Sequence, residues 1–96
     1  MSKANIITAY FMDAILKNCI LDGSAASGCT FTNADLRNAS LQGVNITNAD
    51  FSNCRLQGSV LKCIGIEKAL FKGAFYDKFT IWPEYFTQKK QDVSKW

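Results

Sequence analysis

The 96-residue chain has no histidine and only one proline, and it contains no long apolar run. Without histidine, the chain lacks the most frequent general base and the most frequent metal ligand of enzymes. Its apolar runs are all shorter than the roughly 18 residues that a membrane-spanning helix requires. We therefore expect no catalytic residues, no metal site, no cofactor and no contact with a membrane.

A strong charge of either sign is also missing, because 11 basic and 8 acidic residues leave a net charge of +3. The longest basic run is Lys89-Lys90, which is much shorter than the basic arms that bind nucleic acid. The N-terminal segment has only short apolar stretches, broken by Asn5, Thr8 and Asp13, and this argues against a secretory signal. We expect a cytoplasmic protein that does not bind nucleic acid.

The sequence does contain a repeat of five residues, which runs from about residue 9 to residue 76. The third residue of each five is large and apolar, and the residue two places before it is mostly small. Residues two apart point to the same side of a strand, so both face one core. The fifth residue is often Asn or Gly, which tolerate the positive φ of a type II turn. Each five therefore predicts one short strand followed by one corner.

The large residues match best at a spacing of 20, which predicts an all-β solenoid, a parallel β-helix with four fives in each coil. The fourteen central positions make about 3.5 coils, roughly 17 Å tall at the spacing of parallel strands. Side chains of one type would stack in each column of the core. The predicted columns are Phe11, Phe31, Phe51 and Phe71; Leu16, Leu36, Leu56 and Tyr76; Leu21, Leu41, Leu61 and Ile81; and Ala26, Ile46, Ile66 and Phe86.

The isoleucine side of the predicted solenoid differs from the other three. Val44 and Ile64 hold its small position, so this side is expected to pack by branched bulk. The first coil has only Ser24 and an alanine there, and we expect Ile6 or Ile7 to fill the space.

Three of the four cysteines, Cys19, Cys29 and Cys54, fall in the small inward position of the repeat. Reduced and buried thiols that behave as small apolar groups are therefore expected. A metal site built from cysteine alone is the alternative, but the chain has no pair with CxxC spacing.

The two ends of a solenoid have open strand edges, which need caps. Residues 77–96 are predicted to form a C-terminal lid and tail, with a short helix after the proline, because aromatic residues concentrate there. Residues 1–8 are assigned to an N-terminal cap and residues 9–76 to the β-helix. The lid residues are Phe75, Tyr76, Phe79, Trp82, Pro83 and Phe86.

The first coil has an alternative reading, because residues 7–15 also fit an amphipathic helix. Phe11 fits the phenylalanine column, and this favours the solenoid. Tyr10, Ile15 and Ile20 would then point outward. Either residues 1–8 cover them, or they form an association surface.

The blocks Ala34–Asn38 and Ala49–Asn53 read ADLRN and ADFSN, and they resemble the A(D/N)LXX unit of pentapeptide-repeat proteins. The resemblance covers about 68 of the 96 residues and implies a right-handed quadrilateral parallel β-helix. Residues 76–86 are similar to the ending of small cyanobacterial members. The chain departs from the pattern at Val44, Ile64 and Gly65, where we expect local irregularity.

The resemblance implies no shared enzymatic activity, so we expect a non-enzymatic structural or interaction module with an unknown protein partner. Some members resemble DNA and inhibit or protect type II topoisomerases such as gyrase. This alternative is disfavoured here by the short length and the net charge of +3. Asp35, Asp50 and Arg55 are interpreted as a solvated face rather than a catalytic cluster. A monomer and an end-to-end dimer both remain open.

Overall fold

The computed structural model describes residues 3–83, which wind into four stacked coils. Each coil has four short sides, and each side pairs with the next coil through a single parallel bridge, as Tyr10 does with Thr30. The coils are coil 1 (residues 4–23), coil 2 (24–43), coil 3 (44–62) and coil 4 (63–83). We call coils 1 and 4 the terminal coils, and coils 2 and 3 the middle coils.

One side and one corner follow directly from each five residues. On a side, the Phe11 N–H donates to the Thr30 carbonyl at 2.7 Å, and the Thr30 N–H donates to the Ala9 carbonyl at 2.9 Å. At the corner, the Ala14 N–H donates to the Phe11 carbonyl at 3.0 Å and closes a turn. The fifth residue, such as Asn18 with a φ of 65°, adopts the left-handed conformation that this turn requires.

The core consists of stacked columns of large apolar side chains. The four phenylalanine rings stack nearly parallel, with centroids 5.3, 4.8 and 5.2 Å apart along the column. At the open end of coil 1, Phe11 and Leu16 are only half-buried. Ten other residues of the predicted columns are buried: Phe31, Phe51, Phe71, Leu36, Leu56, Leu21, Leu41, Leu61, Ile46 and Ile66.

The isoleucine side slips by one residue where coil 4 begins. Asn45 pairs with Ile64, a spacing of 19 instead of 20. Cys63 therefore fills the small inward position, while Ile64 points outward and is 57% exposed. Leu70 then follows Ile64 by six residues instead of five, and it pairs with Asp50 at the regular spacing of 20. Gly65, with a φ of 78°, and the 3₁₀ helix Ile66–Lys68 lie in this longer stretch. The expectation that Ile64 packs inward is wrong, and the irregularity expected at this point is observed.

A second slip, of opposite sign, lies near the C-terminal end of coil 4. Val60 pairs with Ile81, a spacing of 21, so Ile81 points outward instead of continuing the leucine column. Trp82 takes the inward position, because the corner that precedes it is one residue longer. Its ring meets Phe71 and Tyr76 edge-on, with centroids 5.6 and 5.5 Å away.

The residues assigned to the lid are not all directed at the core. Tyr76 and Trp82 are half-buried, and Pro83 is buried. Phe75 and Phe79 are exposed at 42% and 65%, so these two side chains do not cover the end of the core. The lid also included Phe86, and the short helix was expected after the proline; both lie outside the described residues.

The solenoid begins earlier than expected from the sequence. Asn5 already pairs with Ala25, so residues 4–8 belong to coil 1 and not to a separate cap. Ile6 packs against the core on the isoleucine side, whereas Ile7 is exposed. Residues 9–15 form sides and corners, so the helical alternative for this segment is wrong.

Candidate functional site

Within residues 3–83, the large apolar side chains that are exposed all lie on the terminal coils. Tyr10 and Ile15 are the most exposed, at 80% and 81%. This distribution divides the surface into two apolar bands separated by a polar one. The band of coil 1 contains Ile7, Tyr10, Met12, Ile15 and Ile20; the band of coil 4 contains Ile64, Leu70, Phe75, Phe79 and Ile81.

The same division appears within a single column of outward residues. Bridges connect Tyr10 to Thr30, Thr30 to Asp50, and Asp50 to Leu70. The backbone position is equivalent in all four coils, yet the side chain is apolar only in the terminal coils. The neighbouring column, Ile15, Asp35, Arg55 and Phe75, repeats this pattern. Backbone geometry therefore does not account for the apolar bands.

In the middle coils, the polar outward residues have a local structural role. The Asp50 carboxylate accepts a hydrogen bond from the Ser52 N–H at 2.9 Å, and the Asn45 side chain accepts one from the Thr47 N–H at 3.1 Å. Such a side-chain bond to the backbone two residues ahead stabilises the corner that follows. Sequence reasoning placed these residues outward and missed this role.

The band of coil 4 also carries positive charge. Lys68 and Lys72 are exposed beside the apolar side chains, and the Lys78 ammonium lies over the Phe79 ring, 5.2 Å from its centroid. Apolar side chains with interspersed cations suit a partner surface that is apolar with some acidic residues.

Residues 19–58 match the family model of pentapeptide repeats, in eight copies. The chain is a pentapeptide-repeat protein. It is similar to the solved pentapeptide-repeat protein Rfr23 from the cyanobacterium Cyanothece 51142, with 30% sequence identity and a TM-score of 0.51. This similarity covers 85% of the present chain and 59% of the Rfr23 chain. The family resemblance noted in the sequence is thus confirmed.

A second similar structure is the pentapeptide-repeat protein alr5209 from Nostoc Pcc 7120, with 23% identity and a TM-score of 0.46, covering 95% of this chain and 84% of that one. None of the curated proteins matches the chain. The family implies a right-handed quadrilateral β-helix, in keeping with the parallel bridges about twenty residues apart. The matched residues 19–58 lie mainly in the middle coils, so the apolar bands fall largely outside the family match.

Acid–base chemistry finds little support on the polar surface of this pentapeptide-repeat protein. Asp35 accepts two bonds from the Arg37 guanidinium, at 2.9 and 2.7 Å. This pairing lowers the pKa of Asp35 to about 2, so the carboxylate stays ionised and is a weak base. Asp50 and Arg55, which were interpreted with Asp35 as a solvated face, lie in the next coil, where Arg55 bridges to Asp35 and Asp50 to Thr30.

The thiols are free, and burial makes three of them poor nucleophiles. Cys54 donates to the Phe31 carbonyl and Cys63 to the Leu41 carbonyl, and burial raises the pKa of both thiols to about 12. Burial also raises the pKa of Cys29. A protonated thiol is neither a good nucleophile nor a metal ligand. Cys19 is the half-buried member of the four.

Two other kinds of site are absent from the described part of the chain. Residues 3–83 contain no group of three or more His, Cys, Asp or Glu side chains placed to hold a metal ion. Over the same residues, no helix has the length and hydropathy needed to cross a membrane. The apolar bands of the terminal coils are therefore the candidate functional surface.

Proposed function

We propose that this pentapeptide-repeat protein is a non-enzymatic interaction module that binds other protein surfaces through its terminal coils. The supporting observation is that the exposed large apolar side chains of residues 3–83 all belong to coils 1 and 4. Burying one such side chain in a contact contributes about 1.5–3 kcal/mol. Single exposed apolar residues are common on protein surfaces, but contiguous apolar areas mark interaction sites.

The stacked core suits such a role because it holds the bands rigidly. Each middle coil is bonded to the coils on both sides, so the outward positions of the terminal coils stand at fixed spacings. A preformed surface loses less conformational entropy on binding than a flexible one. The solenoid thus acts as the scaffold, and the terminal coils supply the contacts.

We expect a right-handed winding, closed at its C-terminal end by a lid that includes residues 77–96. The edge-on packing of Trp82 against Phe71 and Tyr76 supports a lid to which this tryptophan belongs. The expected location is the cytoplasm.

The partner of coil 4 should combine apolar and acidic groups. Leu70 and Phe75 occupy adjacent sides, and the exposed Lys72 lies between them in the chain. Desolvating a lysine in a contact is unfavourable unless an acidic group pairs with it. A partner with carboxylates around an apolar centre would satisfy both.

Affinity capture from the source cell tests this proposal. The tagged wild type is compared with Leu70→Ser/Phe75→Ser, and the matched control is Asp50→Ser/Arg55→Ser, which alters the same two columns one coil earlier. We expect the wild type and the control to retain a protein that the coil 4 variant loses. Equal capture by all three proteins, or loss only in the control, would contradict an interaction through the terminal coils.

A further inference from the structure

At the N-terminal edge of coil 1, some main-chain groups have no partner among residues 3–83. In coil 2, the Thr30 N–H donates to the Ala9 carbonyl at 2.9 Å, and the Thr30 carbonyl accepts from the Phe11 N–H at 2.7 Å. Each outward residue therefore directs both groups toward the preceding coil. Among the described residues, no main-chain group pairs with the N–H or the carbonyl of Tyr10 and Ile15.

The side chains at this edge are of the kind that promotes strand pairing. Natural proteins usually protect an open strand edge with charged residues, proline or a bulge. Here the two open positions carry the most exposed large apolar side chains of the described chain, Tyr10 and Ile15. The half-buried Phe11 and Leu16 lie next to them at the open end of the core. The edge thus combines free hydrogen-bonding groups with apolar surface.

A second copy of this chain fits the edge, because it presents the same main-chain groups and the same apolar side chains. When both groups of a residue face one edge, that residue can exchange two hydrogen bonds with one residue of an antiparallel strand. Two identical edges related by a two-fold axis meet in this antiparallel orientation, and such a contact closes on itself.

The register follows from the positions of the free groups. If the axis passes through the corner between Tyr10 and Ile15, Tyr10 of each copy lies opposite Ile15 of the other. Asp13 lies next to the axis, so the two Asp13 carboxylates would approach each other.

We infer that the protein forms a two-fold, head-to-head dimer in which the edge strands of Tyr10 and Ile15 pair antiparallel. Dimer formation would continue the sheet hydrogen bonding across the two copies and bury both apolar edges. The band of coil 4 would remain available for a different protein. This inference rests on the proposed function, because it names the partner of one of the two terminal coils.

Sedimentation velocity of the 96-residue chain, from about 1 µM to 1 mM, tests the dimer. We expect the wild type to convert from monomer to dimer over this range. Ile15→Lys should weaken the dimer at least tenfold, because each interface contains the substitution twice. The matched control is Val60→Lys, which adds the same charge in coil 3. Circular dichroism of each variant verifies that it is folded.

A third substitution tests the register. Asp13→Asn removes the like charges beside the axis and keeps the corner, since Asn18 and Asn33 adopt the same left-handed conformation. We expect this variant to dimerise several-fold more tightly than the wild type. Weaker or unchanged dimerisation of Asp13→Asn overturns the proposed register.

The dimer itself is overturned if the wild type stays monomeric over the whole range, or if Val60→Lys weakens association as much as Ile15→Lys does. A monomeric wild type that still captures a protein through coil 4 would refute the dimer alone. A monomeric wild type whose capture is insensitive to the coil 4 substitutions would refute the proposed function as well.

Discussion

The middle coils and the terminal coils share one backbone but differ in their outward side chains. In the middle coils, each inward position is buried, and outward residues such as Asp50 stabilise the next corner. In the terminal coils, the same positions hold Tyr10 and Leu70, which are exposed and stabilise no corner through their side chains. Stacking therefore explains the middle coils almost completely, whereas it leaves the outer surface of the terminal coils unexplained.

This difference shows where function can be located in a repeat protein. A regular repeat satisfies its own hydrogen bonds and packing, so a residue that follows the pattern gives little information about partners. A residue that departs from the pattern without any gain in packing gives more information about partners. Here the departures concentrate in coils 1 and 4.

The largest effect is expected when one phenylalanine of the column is replaced by alanine, and its size should depend on the coil in which that phenylalanine lies. Phe51 is fully buried between two rings, whereas Phe11 is half-buried and, among residues 3–83, stacks on one ring. Phe51→Ala should cost about 3–5 kcal/mol of unfolding free energy, and Phe11→Ala clearly less. Urea denaturation measures both, with Thr47→Ala as a surface control. An equal loss of unfolding free energy in the two variants would mean that the coil 1 end of the column is as well packed as its middle.

A somewhat smaller effect is expected at the irregular corner of coil 4. A Cβ atom at Gly65 would collide with the Thr47 hydroxyl, whereas at Gly43 the nearest atoms lie 3.9 Å away. Both glycines have positive φ, which costs alanine about 1–2 kcal/mol. Overpacking adds about 1–3 kcal/mol at Gly65 only. Thermal unfolding of Gly65→Ala and Gly43→Ala should show this order, and the reverse order would refute the corner geometry.

The buried thiols predict a loss of stability in alkali. The pKa of Cys54 and Cys63 is about 12 in the folded protein, against an ordinary value of 9.0. Below pH 9 both states keep the proton, and the thiols do not change the unfolding free energy with pH. Between about pH 9 and 12 the unfolded state gains by ionising, so stability falls by at most about 1.4 kcal/mol per pH unit for each thiol.

Unfolding of the wild type and of Cys54→Ala/Cys63→Ala as a function of pH measures this loss. The variant should lose less stability above pH 9, because the other titrating groups are the same in both proteins. Parallel pH profiles would show that the two thiols are accessible to solvent in the folded state.

The smallest effect concerns a corner of coil 1. Thr8 has a φ of 59°, a conformation that β-branched residues rarely adopt, while Asn48 holds the equivalent corner in coil 3 with a φ of 62°. Thr8→Asn should stabilise the protein by up to about 1 kcal/mol, and Asn48→Thr should destabilise it by a similar amount. Two changes of the same sign, measured by thermal unfolding, would contradict the equivalence of the two corners.

Periodicity alone was enough to predict the main features of the core. The spacing of 20 identifies the phenylalanine column, and the small and large inward positions follow from the alternation along each side. Tyr10, Ile15 and Ile20 were also placed outward correctly. These features recur in every coil, so each repeat provides independent support for the same prediction.

The two slips could not be predicted, because each depends on a single local conformation. Cys63 and Ile64 are both apolar, and only the bridge with Asn45 shows which of them faces the core. Trp82 replaces Ile81 because the preceding corner contains one extra residue. The open edge of coil 1 is likewise a matter of three-dimensional pairing, so the pattern could indicate an association surface there without identifying a partner.

The difference between closed middle coils and open terminal coils is tested most directly by amide hydrogen exchange, resolved by residue, at low and high protein concentration. The Thr30 and Asp35 N–H groups donate to coil 1 at 2.9 Å, so we expect slow exchange at both concentrations. The Tyr10 and Ile15 N–H groups should exchange rapidly in dilute solution and slowly at high concentration. Slow exchange of Tyr10 and Ile15 in dilute solution, or rapid exchange at both concentrations, would contradict an open edge that a second copy covers.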